Sequence, residues 1–309
     1  MKQKIKRNIT RIKDFIRDDI WELELEELSK ARARFIKYMK VIIITIKTFS
    51  AEKIGFQAVA LSFFSTMSVV PLIAIIFGVT GGLGLADKLE GFLYGYFQNS
   101  QPIVNIVLKS ANNIISTTQS GGMGLISGLL FAWIVIWMML SVERVFNNVW
   151  RVRKSRNIFK RISYIIAMLL IAPFVVMVFF SGNILYSHLL ESIGLDPETF
   201  GIFKTVLSWT LFGAIATFTF SAMYKFIPNS IVEYGNALKA ALPAAIAFTA
   251  VNYLYLETQV LVTRLNAVYG VFAAVPLFMA WINIGWNIIL IGSELSYAFQ
   301  HVDNYNIDD

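Results

Sequence analysis

The side chains able to do chemistry in this chain are few and sit in unusual company. Asn283, Asn287 and Glu294 interrupt an otherwise apolar run near the C-terminus. At about 100° per residue, Asn287 falls about 40° and Glu294 about 20° from Asn283, which puts all three on one helix face. Amides and carboxyls need partners in hydrocarbon, so this face is expected to look inward, toward other helices or a wet cavity. Interhelical hydrogen bonding and contact with a polar substrate both fit it. Glu294 is expected either as a solvated helix terminus or paired with a cation such as Lys225 or Arg144. Pro71, Pro173, Pro243 and Pro276 also fall inside apolar runs. Each would remove a backbone hydrogen bond and kink its helix. Interrupted helices at matching depth are a sequence pointer to a transporter site, although proline is frequent in membrane helices generally. Pro71 and Pro276 lie in the echoing runs Val69-Val70-Pro71-Leu72 and Ala274-Val275-Pro276-Leu277.

A second group is basic. Six of the eleven residues from Arg151 to Arg161 are Lys or Arg. Arg151, Arg153, Lys154 and Arg156 read as a topological anchor that can also contact phosphate-bearing headgroups or anionic solutes. RNA binding is not expected, because aromatic residues at stacking spacing are missing apart from Trp150. The chain has no cysteine, and its histidines, His188 and His301, stand far apart in sequence, which argues against a zinc-type centre. There is no Walker-type glycine-rich loop. The acidic residues expected to face the cytoplasm beyond the N-terminal segment are Glu143, Glu233, Glu294, Asp303, Asp308 and Asp309. They form no close pair before the tail, so metal-assisted phosphodiester cleavage is not expected. No catalytic residue, metal or cofactor is assigned, and the chain is read as a non-enzyme.

The elements that must position these groups follow from composition. Of 309 residues 56% are hydrophobic and only 15% charged, against about 25% charged in a soluble domain. Six uncharged stretches approach or exceed the ~20 residues that cross a ~30 Å hydrocarbon core: Phe56–Thr80, Gly122–Val142, Ile162–Ser187, Thr205–Tyr224, Ala240–Leu256 and Val268–Ser293. The fifth, of 17 residues, is the shortest. Assigning the intervening segments alternately puts 23 Lys and Arg on one side and 4 on the other. The positive-inside rule then places the N-terminus in the cytoplasm, and six spans return the C-terminus there. The expected fold is all-α: a polytopic membrane protein with six transmembrane helices. No cleavable signal peptide is expected, because the first 55 residues are strongly charged.

Three further elements are expected. Ile5, Ile9, Ile12, Ile16, Ile20 and Leu23 recur at helical spacing, giving an N-terminal amphipathic helix. Val41–Ile46, between Lys40 and Lys47, suits either an interfacial helix or a brace packed under the bundle. In the first outer loop, Leu89, Phe92, Leu93, Tyr96 and Phe97 form one apolar face and Ile103, Ile106, Val107, Ala111, Ile114 and Ile115 another, with Pro102 between. The expected organisation is therefore residues 1–50 as cytoplasmic or interfacial helices, 51–300 as the transmembrane domain and 301–309 as a cytoplasmic tail.

Several motifs together resemble the YihY/BrkB family of bacterial inner-membrane proteins, formerly labelled ribonuclease BN. They are Ala58-Val59-Ala60-Leu61-Ser62-Phe63-Phe64 with Ser68-Val69-Val70-Pro71-Leu72, Asn147-Asn148-Val149-Trp150, Tyr224-Lys225-Phe226-Ile227-Pro228-Asn229, Tyr269-Gly270, Trp281 and Leu290-Ile291-Gly292-Ser293-Glu294-Leu295. In the last, family members more usually read Gly-Ala-Glu. The resemblance covers about residues 50–300 and implies six helices with both termini cytoplasmic. Labels used for the family have included nuclease and serum-resistance factor, and transport has been suggested. The expected function is a transporter or exporter of a lipid-linked or anionic amphipathic compound, with a non-enzymatic envelope scaffold as the alternative. Membrane lipids and an anionic or amphipathic small molecule are the expected partners, and no nucleic acid.

Overall fold

The computed structural model describes residues 20–22, 28–82, 84, 86–96, 101–118, 122–152, 154, 156–167, 201–269 and 274–305. They contain helices and no strand. After a helical turn at Ile20–Glu22 come α1 (Lys30–Ala51), α2 (Ile54–Gly82), α3 (Ala86–Tyr96), α4 (Gln101–Thr118) and α5 (Gly122–Val149). Residues 158–167 are helical. They are followed by α6 (Gly201–Phe226), α7 (Tyr234–Tyr269) and α8 (Ala274–His301), which ends in a 3-10 turn at Val302–Asn304.

Four of the described helices are long and apolar enough to cross a membrane, over Ile54–Gly78, Gly128–Val149, Tyr234–Thr258 and Pro276–Asn304. Their outward faces carry large apolar side chains, including Phe56 at 77% and Leu129 at 72% exposure. A soluble protein does not leave so much hydrocarbon uncovered; a lipid surrounding covers it at no cost. Of the other two expected spans, Thr205–Tyr224 lies within α6, and Ile162–Ser187 falls outside the described residues beyond residue 167. The N-terminal stripe from Ile5 to Ile16 and Pro173 also fall outside them.

Two expected boundaries differ from the structure. The short fifth span is part of a 36-residue helix, α7, that runs through charged residues at both ends. The sixth expected span stops at Ser293 because Glu294 is charged, yet α8 carries Glu294 inside the helix and continues to His301. Pro276 lies near the described start of α8, which follows residues 270–273 outside the described set. Pro71 and Pro243 do lie inside their helices.

The main core gathers the ends of five helices: Ile54, Ala58 and Leu61 of α2, Phe146 and Val149 of α5, Phe220 and Tyr224 of α6, five alanines of α7 and Leu290 and Tyr297 of α8. Ala237, Ala240, Ala241, Ala244 and Ala245 are all buried. These small residues bring the α7 backbone close to its neighbours, the usual device where lipid supplies no hydrophobic drive between helices. At the other end of α2, Ile76 and Phe77 pack with Leu89 of α3 and Val104 and Leu108 of α4. On the main-core side, α1 lies along α8, with Val41 and Ile44 buried against Ala298 and Val302. Lys37 pairs with Asp303 at 2.7 Å. Residues 30–51 and 301–305 are therefore packed on the bundle and on each other.

Candidate functional site

The polar face of α8 meets α2. Asn283 donates through Nδ2 to Ser62 Oγ at 3.1 Å, and Trp286 donates through Nε1 to Ser65 Oγ at 2.8 Å. Asn287 donates through Nδ2 to Asn283 O at 2.8 Å. The serines are three residues apart on α2, so one helical turn presents both hydroxyls to α8. Ser62 in turn donates to Ala58 O at 2.8 Å. This seam joins α2 and α8 through side-chain hydrogen bonds.

Glu294 stands apart from it. The residue is fully buried, and no well-aligned hydrogen bond reaches its carboxyl oxygens. The groups bearing on it are Arg151 beyond α5, Thr48 on α1, and Glu52. Thr48 Oγ1 is buried beside it and faces its carboxyl. Arg151 is the cation whose charge acts on Glu294, without forming an ion pair with it. Lys225, one of the two expected candidates, donates instead to the Val232 carbonyl, and Arg144 is exposed and lines a groove described below.

Arg151 reaches this position through an unusual helix stop. Its φ is +51°, its N–H bonds Asn148 O at 2.9 Å, and the Val152 N–H bonds Asn147 O at 2.8 Å. This pair of bonds is a Schellman ending, whose left-handed position normally takes glycine. A side chain there costs roughly 1–2 kcal/mol. The guanidinium lies 5.2 Å over the Tyr297 ring, and Tyr297 stacks on His301 at 4.2 Å.

The neighbouring basic residues are occupied differently. Arg156 donates through one terminal nitrogen to Phe226 O at 2.7 Å and to Pro228 O at 3.0 Å, closing the end of α6. Asn229 donates its N–H to Asn147 Oδ1 at 2.7 Å and its amide to Lys154 O at 2.9 Å. The Asn147 and Asn229 motifs therefore lock the connections after α5 and α6 together. Lys154 is exposed, and Arg153 lies outside the described residues.

Among the described residues, two of the clefts on the bundle surface are large. One, of about 830 Å³ between α6 and α7, is lined by Trp209, Leu242, Ile246 and Tyr253 and has no charged wall. The other, of about 740 Å³, lies between α2 and α5 and has Arg144 and Arg161 on its wall. Arg161 donates through Nε to Glu143 Oε2 at 2.9 Å. Among the described residues no group of three His, Asp or Glu converges as a metal site requires. The α2 serines and this groove were not singled out in the sequence. The Ser62-x-x-Ser65 spacing was the available signal for the former, whereas the groove depends on helix packing that spacing does not encode.

An all-helical bundle with an apolar exterior and several crossing helices defines a multi-pass integral membrane protein. The chain belongs to the family described as Virulence factor BrkB, whose model matches residues 45–309. Similar proteins include a UPF0761 membrane protein of Janthinobacterium sp. (strain Marseille), 30% identical over 81% of this chain and 57% of the relative. A UPF0761 membrane protein of Azotobacter vinelandii (strain DJ / ATCC BAA-1303) is 28% identical over 85% of this chain and 64% of the relative. One of Legionella pneumophila (strain Corby) is 26% identical over 88% and 64%. The chain thus spans about three fifths of the length of these curated relatives. No solved structure matches it.

Proposed function

We propose that this protein is a transporter or exporter of a lipid-linked or anionic amphipathic compound, acting in the bacterial inner membrane with both ends cytoplasmic and without enzymatic chemistry. The observation that carries the reading is Glu294: a fully buried carboxyl set against the Thr48 hydroxyl, inside a crossing helix. An ionisable group kept at that depth is costly, and a purely structural seam is already supplied by Asn283, Trp286 and their serines. The packing of α1 against the C-terminal end of α8 supports placing both on one side. The 23-to-4 distribution of Lys and Arg supports the cytoplasmic side.

The test is flux of a fluorescent anionic amphiphile in proteoliposomes. Glu294→Gln is expected to slow flux about tenfold or more, equivalent to about 1.4 kcal/mol on the limiting barrier. Unchanged flux in the Glu294→Ala, Asn287→Ala double variant removes these residues from the mechanism. No flux above protein-free vesicles with any anionic amphiphile, in folded protein, leaves the envelope-scaffold reading in its place.

A further inference from the structure

The α2–α5 groove is amphipathic along its length. Gln57 stands at its α2 end and Arg144 and Asn148 at its α5 end, with Arg161 beside them, while Leu61, Phe64 and Leu140 line the other part. From Gln57 to Phe64 the wall climbs seven residues of helix, about 10 Å. The polar part lies toward the start of α2 and the end of α5, and the apolar part toward the interior of both helices.

The charges facing the groove leave a cationic excess. Arg161 is held by Glu143, its partner at 2.9 Å. Arg144 is exposed, and among the described residues it has no ion-pair or hydrogen-bond partner. One arginine fork is thus uncompensated beside a second that is already oriented. A guanidinium pair of this kind suits a phosphate, which accepts bidentate bonds. A volume of about 740 Å³ falls in the range of ligand clefts, roughly 300–1,000 Å³. A free anion would use only the basic mouth. The apolar wall beneath it needs a ligand whose charged head is joined to hydrocarbon, and α2 beside the groove exposes Val59 and Phe63 to the same surroundings.

We propose that the α2–α5 groove binds one anionic phospholipid of the surrounding leaflet, its phosphate on Arg144 and Arg161 and its acyl chains along Leu61, Phe64 and Leu140. Binding is independent of the transport reading, since the site holds the lipid whether or not the lipid is then moved.

The full chain, purified in detergent, is titrated with phosphatidylglycerol, with phosphatidylcholine of the same chains, with glycerophosphoglycerol and with inorganic phosphate, and retained ligand is read by native mass spectrometry. One phosphatidylglycerol is expected to be held in preference to phosphatidylcholine, with the two chain-less anions held weakly. Arg144→Gln is expected to weaken that lipid about five- to tenfold, on the scale of one charge-assisted hydrogen bond. Arg144→Lys should fall between, and Arg32→Gln on α1 should leave binding unchanged. Because Arg144 is exposed, its replacement leaves the fold intact. Equal retention of the two phospholipids, an unaltered affinity in Arg144→Gln, or inorganic phosphate held as tightly as the lipid would each overturn the proposal. Flux in proteoliposomes without this selective binding would overturn it while leaving the transport reading standing.

Discussion

Gly292 shows how little freedom single positions have in this bundle. A Cβ built there would overlap the Tyr224 hydroxyl and stand 2.8 Å from Ala244 Cβ. The contact joins α6, α7 and α8 at one point. Tyr224 is fully buried, so its ring cannot swing aside into solvent. Gly292→Ala is therefore expected to destabilise the protein by about 1–3 kcal/mol, the usual cost of overpacking. A lowered unfolding temperature in detergent checks this, and an unchanged one would mean that the helices part easily here. The next residue, Ser293, is where family members more usually carry alanine; it is fully buried and its hydroxyl has no partner. At Arg151 the sequence accepts backbone strain at a place glycine normally fills, and what it places there is a guanidinium over the Tyr297 ring whose charge also reaches Glu294. No residue-by-residue reading could pair these two, since they are brought together by a turn whose hydrogen bonds use only backbone atoms.

At the scale of elements, α1 is a brace whose hold on α8 is partly electrostatic. The Lys37–Asp303 pair is half exposed, and such pairs contribute about 0.2–1 kcal/mol. Asp303→Asn is expected to raise the rate of proteolytic cutting within α1 by up to about fivefold, with the bundle itself unaffected. Lys40 works against this hold. Burial keeps its ammonium below the ordinary lysine range, and Asp303 pulls in the opposite direction. Since the folded value lies below the unfolded one, the unfolded chain keeps a proton that the folded chain has shed between the two values. Stability of the α1 contact should accordingly rise as pH increases toward the ordinary lysine range, read as the unfolding temperature over that interval. A fall would show that loss of the Asp303 attraction outweighs relief of desolvation. Long apolar blocks made the crossing helices legible, because nothing but a membrane tolerates them. Their ends were less so: the charge of Glu294 sets the expected end at Ser293, whereas α8 buries Glu294 and continues to His301. A helix ends where its backbone finds a cap, and hydropathy does not report caps.

For the whole molecule, the packing of α1 on the end of α8 requires residues 30–51 and 301–305 to share one side of the membrane. The absence of cysteine makes this directly testable. Ser29→Cys and Asn304→Cys chains are expected to react with a membrane-impermeant maleimide only after the inner membrane is permeabilised. Labelling of both in intact spheroplasts would reverse the orientation, and labelling of one alone would contradict the α1–α8 contact. The charge asymmetry is what gives this orientation as an expectation from the sequence, and the labelling decides it. The polar seam was half readable, since Asn283 and Asn287 declare themselves in an apolar run while Ser62 and Ser65 look like ordinary small residues. That seam has a consequence for assembly. Its donors and acceptors are 221 residues apart, and at about 5–20 residues per second the ribosome needs roughly 10–45 s to add the second half after the first. During that interval Ser62 can rest on its own helix, bonded to Ala58 O as it also is in the finished fold. The α2 helix can therefore wait in the bilayer with the Ser62 hydroxyl bonded, and the seam closes only when α8 arrives. A chain cut short before α8 keeps the Ser62 hydroxyl on its own helix but never acquires the stitch to α8, so the bundle closes only once α8 has been made.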